Sequence, residues 1–150
     1  MFSILLVSHG SVASSMIKSS GMLLGYREGI YAVEIDAYTV VDNLKKQLRA
    51  AITELLKKGK VVVLTDIPIG TPFNVVISLM EELDFIHFTG MNLPLVTELL
   101  LLRRENLQNE EDCRRALERA RAKMFDVNEF CRHLRTSGAD TENTKQDEED

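Results

Sequence analysis

Apolar positions along the chain fall into two rhythms: short runs that are apolar throughout or at every second residue, and longer stretches where they return every three or four. The short runs read as four strands, at 4–7 (ILLV), 30–35 (IYAVEI), 61–66 (VVVLTD) and 85–90 (FIHFTG). The third is apolar on both faces, as expected of a parallel strand covered above and below, and the first ends the way such a strand ends. Helical periodicity fills the intervals over 12–24, 41–58, 73–83, 94–102 and 109–123. Gly25 and Gly59 stand where the first two helices should stop, and Thr71 followed by Pro72 offers the third a threonine cap and a first-turn proline. The helix beginning at Pro94 is apolar nearly all round, which predicts burial on more than one side, a subunit interface included. Residues 124–131, MFDVNEFC, fit a short edge strand or a continued helix, and propensity does not decide between them. From Thr136 onward the sequence is polar and acidic, so a domain of residues 1–135 should be followed by a disordered tail over 136–150.

Strands alternating with helices in this order define the α/β class with a doubly wound, mainly parallel sheet and helices on both faces. Right-handed crossovers and a strand order of 2-1-3-4 bring the ends of the first and third strands together at the switch point, where ligands of such sheets collect. Those ends carry His9 and Asp66. A carboxylate that holds one imidazole nitrogen fixes the tautomer and leaves the other nitrogen free as a nucleophile. Gly10 and Ser11 open the helix after His9, and Gly70 and Thr71 open the helix after Asp66. Their backbone N–H groups and hydroxyls are candidate phosphate ligands. From its own stretch alone, His9 reads as readily as a loop histidine satisfied by backbone groups.

Composition narrows the picture. One hundred and fifty residues suffice for one domain with a full core. A net charge of -5 without a basic block argues against a nucleic-acid partner. Cys113 and Cys131 lack metal-ligand spacing and read as reduced thiols of a cytoplasmic protein, and neither a metal nor a cofactor is implied. The apolar start is too brief for a signal peptide and no stretch approaches a membrane span, so a soluble chain is expected. His87 reads as strand packing and His133 as solvated, while Asp36 reads as a turn or helix cap. Met16, Met22 and Met91 read as packing, with Val12 and Met22 as a candidate apolar rim for a partner.

LLVSHG near the start, VVVLTD followed by GTPFN, and TGMNLPLVTELL together resemble, in order over about residues 2–104, the EIIA domains of the mannose-type (mannose/fructose/sorbose) sugar phosphotransferase system. The resemblance implies that His9 is the phosphorylated histidine and Asp66 its orienting aspartate. It implies a cytoplasmic carrier that takes a phosphoryl group from HPr and passes it to an EIIB component, serving the membrane EIIC and EIID components indirectly during sugar uptake. It also implies a homodimer that exchanges a C-terminal edge strand, for which 124–131 is the candidate. The chain departs from the family at Pro68 and Ile69, where glycines are usual, and Thr71 replaces a serine while keeping the hydroxyl. No EIIB domain follows, so EIIB is expected as a separate protein. Three other readings compete: a non-transferring regulatory module of the same fold, a tetrapyrrole metal chelatase, and a phosphohistidine phosphatase or mutase. The chelatase wants a second functional histidine, for which His87 and His133 are poor candidates. The phosphatase or mutase needs an arginine where Ser8 stands.

Overall fold

The computed structural model describes residues 2–106 and 109–143. Its centre is β1 (Ser3–His9), whose first six residues are all buried. Successive strand side chains point to opposite faces, so Ile4 and Leu6 enter one core while Leu5 and Val7 enter another. β3 (Val61–Thr65) repeats the division, with Val62 and Leu64 on the first side and Val61 and Val63 on the second. An unbroken apolar run thus serves two helical layers at once.

On the first face lie α1 (Val12–Leu24), α4 (Leu93–Arg104) and α5 (Glu110–Arg121), contributing Ala13, Leu95, Leu99, Cys113 and Ala116. On the second lie α2 (Val41–Leu56) and α3 (Gly70–Leu79), contributing Leu44, Leu48, Ile52, Val75 and Leu79. Each fully buried leucine or valine is worth roughly 1.5–3 kcal/mol, several times the spread of helix propensities among ordinary residues, so packing holds these helices. β2 (Ile30–Ile35) and β4 (Ile86–Thr89) complete a parallel sheet in the order β2-β1-β3-β4. The expected doubly wound class and strand order are therefore observed.

The all-round apolar character of α4 is used within the chain: the sheet, α1 and α5 all pack on it. Its buried Glu98 is tied to α5, with Arg119 donating to one carboxylate oxygen at 2.7 Å. Segment 124–131 does not form a strand. Asp126 Oδ1 accepts the N–H groups of Asn128 at 2.8 Å and Glu129 at 3.3 Å, an aspartate cap that starts α6 (Val127–Asn143). Among the described residues β4 is therefore an edge strand of the sheet, as β2 is on the other side, and the exchanged strand expected from 124–131 is absent. Beyond it the Thr136 and Ser137 hydroxyls donate back to the His133 carbonyl at 2.9 Å, and α6 runs to Asn143, inside the stretch expected as a tail. The remainder of that tail, 144–150, lies outside the described residues.

One glycine is fixed by its surroundings. Gly29 has φ +72, and a methyl group there would run into the Arg103 guanidinium. Arg103 Nε donates to the Phe2 carbonyl at 2.9 Å, and Nη1 reaches the Tyr26 hydroxyl, so this side chain ties α4 to the start of β1 and the turn before β2. Gly29→Ala should cost about 1–2 kcal/mol in urea unfolding through the left-handed φ and the displaced arginine.

Candidate functional site

All four strands run the same way, so the β1–α1, β2–α2 and β3–α3 connections emerge at one edge of the sheet. Parallel pairing sets Val7 beside Thr65 and His9 beside Ile35, and just beyond the first pair His9, two residues past Val7, and Asp66, one past Thr65, come into reach of one another. Asp66 Oδ2 lies 2.8 Å from His9 Nδ1 and also accepts the His9 backbone N–H at 2.9 Å. Asp66 Oδ1 accepts the Ile67 N–H at 2.9 Å. The carboxylate is nearly enclosed, with its side chain 12% exposed, whereas the imidazole is 45% exposed.

Partial burial pushes the Asp66 carboxyl upward, but the hydrogen bonds from the His9 backbone and ring and from Ile67 outweigh it and leave its pKa below the ordinary value. Asp66 is then an anion across the physiological range and can only accept hydrogen bonds. Nδ1 must carry the proton in that contact. Nε2 holds the lone pair and faces Gly70: a β-carbon built on Gly70 would stand 3.2 Å from Nε2 and 3.3 Å from Cε1.

The two helix N-termini beside the ring differ. At α1 the protein satisfies itself: the buried Ser8 hydroxyl accepts the Ala13 N–H at 2.9 Å, and Glu34 Oε1 accepts the Ser14 N–H at 2.8 Å. The Gly10 N–H donates to the Ile35 carbonyl at 2.8 Å, so this group is not available to a ligand. Ser11 is exposed at the cap position and makes no side-chain cap bond. At α3 Ile69 occupies the cap position with extended backbone and no side chain caps the helix. Thr71, expected to cap, lies instead inside the first turn, because Gly70 with φ +85 turns the chain one step earlier. Of the predicted phosphate ligands, Gly70 adjoins the ring, Thr71 follows it in the first turn of α3, and Gly10 and Ser11 sit at the already occupied α1 end.

The sequence did not single out Glu34 or Ser8 as supports. Ser8 gave no signal beyond its place before His9, and Glu34 becomes meaningful only once the β1–β2 register sets it opposite Ser8. His87 packs as expected, its Nε2 sharing a hydrogen bond with the buried Thr65 hydroxyl at 2.9 Å and its ring against Phe73. Burial lowers its pKa, so it is neutral at physiological pH. Asp36 caps its turn, with Oδ1 accepting the Tyr38 N–H and the Thr39 hydroxyl. Met91 is buried, but Met22 is 80% exposed and sits near the far end of α1, so it belongs neither to the core nor to the rim of this site.

The site is an exposed imidazole held by a largely enclosed carboxylate, on an open parallel α/β sheet and against an uncapped helix N-terminus, an arrangement suited to nucleophilic histidine chemistry. The family model described as PTS system fructose IIA component matches residues 3–117. The fructose-specific EIIA component of Bacillus subtilis (strain 168) is 30% identical over 104 residues, which cover 69% of this chain and 71% of the relative. The mannose-specific EIIAB component of Escherichia coli (strain K12) is 25% identical over 119 residues, covering 79% of this chain and 37% of that longer protein. Among solved structures, the PTS IIA protein associated with the fucose utilization operon from Streptococcus pneumoniae superposes with a TM-score of 0.75 at 26% identity, over 87% of this chain and 99% of that one. The chain belongs to the EIIA components of the mannose/fructose type in the sugar phosphotransferase system.

Proposed function

We propose that His9 is the phosphoryl-carrying residue of this EIIA component and that Nε2 is the atom that bears the group. The reading rests on one observation above the others: Asp66 occupies Nδ1, and the remaining nitrogen faces the uncapped start of α3 at Gly70. In the first transfer the Nε2 lone pair attacks the phosphorus of phospho-HPr. The donor's N–P bond breaks and its electron pair returns to the donor nitrogen. The imidazole of His9 becomes cationic, and the Asp66 carboxylate, held anionic, stabilises that charge through Nδ1–H. The second transfer runs the same step toward an EIIB component, returning His9 to the neutral ring. At the start of α3, the N–H groups of Gly70 and Thr71 lack intrahelical acceptors and, with the Thr71 hydroxyl, are the proposed ligands of the phosphoryl oxygens. At the α1 end Ser11 is the remaining candidate.

In this reading HPr stands upstream, EIIB downstream, and the membrane EIIC and EIID components are served indirectly from the cytoplasm, with a homodimer as the assembly. Among the described residues no helix is long and apolar enough to cross a membrane.

Incubation with phosphoenolpyruvate, the kinase that charges HPr, and HPr should place an acid-labile, base-stable phosphate on the wild type and none on His9→Ala. A wild type that takes no label would favour the regulatory module, in which the fold is kept without transfer.

A further inference from the structure

The ladders that join β3 to β1 and to β4 both stop at Thr65, whose partners are Val7 and Thr89. Asp66, the next residue, and Gly70, which opens α3, therefore stand beyond the last rung of the sheet. Their spacing is set by the loop between them and by the side chains packed beneath it.

His87 is such a side chain, and it reaches both. It pairs with Val63 in the β3–β4 register, so Thr65 lies diagonally opposite on the same face, within reach of a long side chain. Thr65 is fully buried, and among the described residues His87 Nε2, at 2.9 Å, is the only hydrogen-bond partner of its hydroxyl. The His87 ring also meets the Phe73 ring, with centroids 5.6 Å apart and planes tilted by 47°. Phe73 follows Gly70 by three residues, in the first turn of α3. One imidazole thus touches the residue before Asp66 and the turn that begins at Gly70.

Packing alone does not call for this pair. Valine at 65 and phenylalanine at 87 would fill similar space with no polar group to satisfy, an exchange that is close to neutral in stability. What the hydroxyl and the imidazole add is direction, a bond that fixes the end of β3. Burial keeps the ring neutral at physiological pH, so it can bond the threonine without placing a second cation beneath the site.

Building on the relay reading above, we propose that His87 is a positioning residue for phosphoryl transfer at His9: by bonding Thr65 and packing on Phe73 it fixes the Asp66 carboxylate and the start of α3 relative to each other. Asp66 holds one nitrogen of the His9 ring, and the α3 N–H groups are the proposed ligands of the phosphoryl group on the other. A shift between the two supports turns the lone pair away from the phosphorus, and a misplacement of about 1 Å can cost a hundredfold in rate. His87 acts on the chemical step through Thr65 and Phe73, not on affinity for the donor.

The test measures initial rates of His9 labelling by phospho-HPr and by phosphoramidate, a small phosphodonor, together with thermal melts and the imidazole 15N signals of His9. His87→Phe should lower kcat with either donor about tenfold, with KM for phospho-HPr within about twofold, and should move the His9 signals away from a single Nδ1-protonated form. Pairing it with Thr65→Val should bring the melting temperature back toward wild type, because no polar group is left unpaired, while the rate stays low. His87→Gln, whose amide can reach the Thr65 hydroxyl, should recover the rate to within about threefold of wild type. A rate that returns with the melting temperature in the double variant would overturn the proposal, as would wild-type rates and His9 signals in His87→Phe. Either result leaves the relay standing. A wild type that takes phosphate from neither donor would sink the relay reading itself, and the role of His87 with it, without any substitution being made.

Discussion

Asp66→Asn should leave the fold intact and slow phosphoryl transfer at least about a hundredfold, in line with the loss seen when an orienting carboxylate becomes an amide. The reason lies in counting donors. Asp66 accepts three hydrogen bonds, from the His9 backbone N–H, the His9 ring and the Ile67 N–H. An asparagine has one accepting oxygen. With that oxygen toward His9, its NH2 confronts the Ile67 N–H. With it toward Ile67, its NH2 confronts the His9 N–H and can meet the ring only by donating to Nδ1. The second arrangement moves the ring proton to Nε2 and removes the attacking lone pair. Either arrangement leaves a donor facing a donor, a cost of about 1–3 kcal/mol. Because the folded-state pKa of Asp66 is depressed, its stabilising effect is complete above the unfolded carboxyl value of about 4 and fades as pH falls through the folded value. The stability gap between wild type and variant in thermal melts should therefore be widest near neutrality and narrow in acid. Transfer kinetics equal to wild type would remove Asp66 from the mechanism.

Gly70→Ala is expected to damage both stability and transfer, and to do so through one methyl group. The residue has φ +85, a conformation that costs an alanine roughly 1–3 kcal/mol. The added carbon would sit 3.2 Å from Nε2, on the side from which the phosphorus is proposed to approach. Relief requires the ring or the start of α3 to give by a few tenths of an ångström, and the methyl group still stands where the phosphoryl group is proposed to lie. A drop of about tenfold or more in the rate of His9 labelling by phosphoramidate is predicted, since this defect lies in the site and not in partner docking. Unchanged labelling with only a lower melting temperature would show that Gly70 serves the turn alone.

Much of this arrangement is legible in the residues because it follows from strand composition. The double-sided apolar runs at 4–7 and 61–66 identify central parallel strands, and a crossover rule then makes His9 and Asp66 neighbours without any contact being known. What the sequence did not disclose depends on competition between close alternatives. Thr71 is a good cap by type, but Gly70 can take a left-handed backbone, so the helix starts two residues earlier and the cap position falls to Ile69. MFDVNEFC alternates like a strand, yet Asp126 captures two N–H groups locally and tips the segment into α6. The role of Glu34 required the register of β2 against β1, a long-range fact that no window of sequence contains.

The occupied end of α1 also makes the sheet edge electrically lopsided. With the Glu34 carboxylate already seated on the Ser14 N–H and the Gly10 N–H donated to the Ile35 carbonyl, the proposed phosphate site leaves an incoming inorganic anion the α3 end, within reach of the imidazole. Free phosphate should therefore compete with labelling of His9 as a simple one-site blocker, and its displacement by a charged carrier would report how firmly that berth is held.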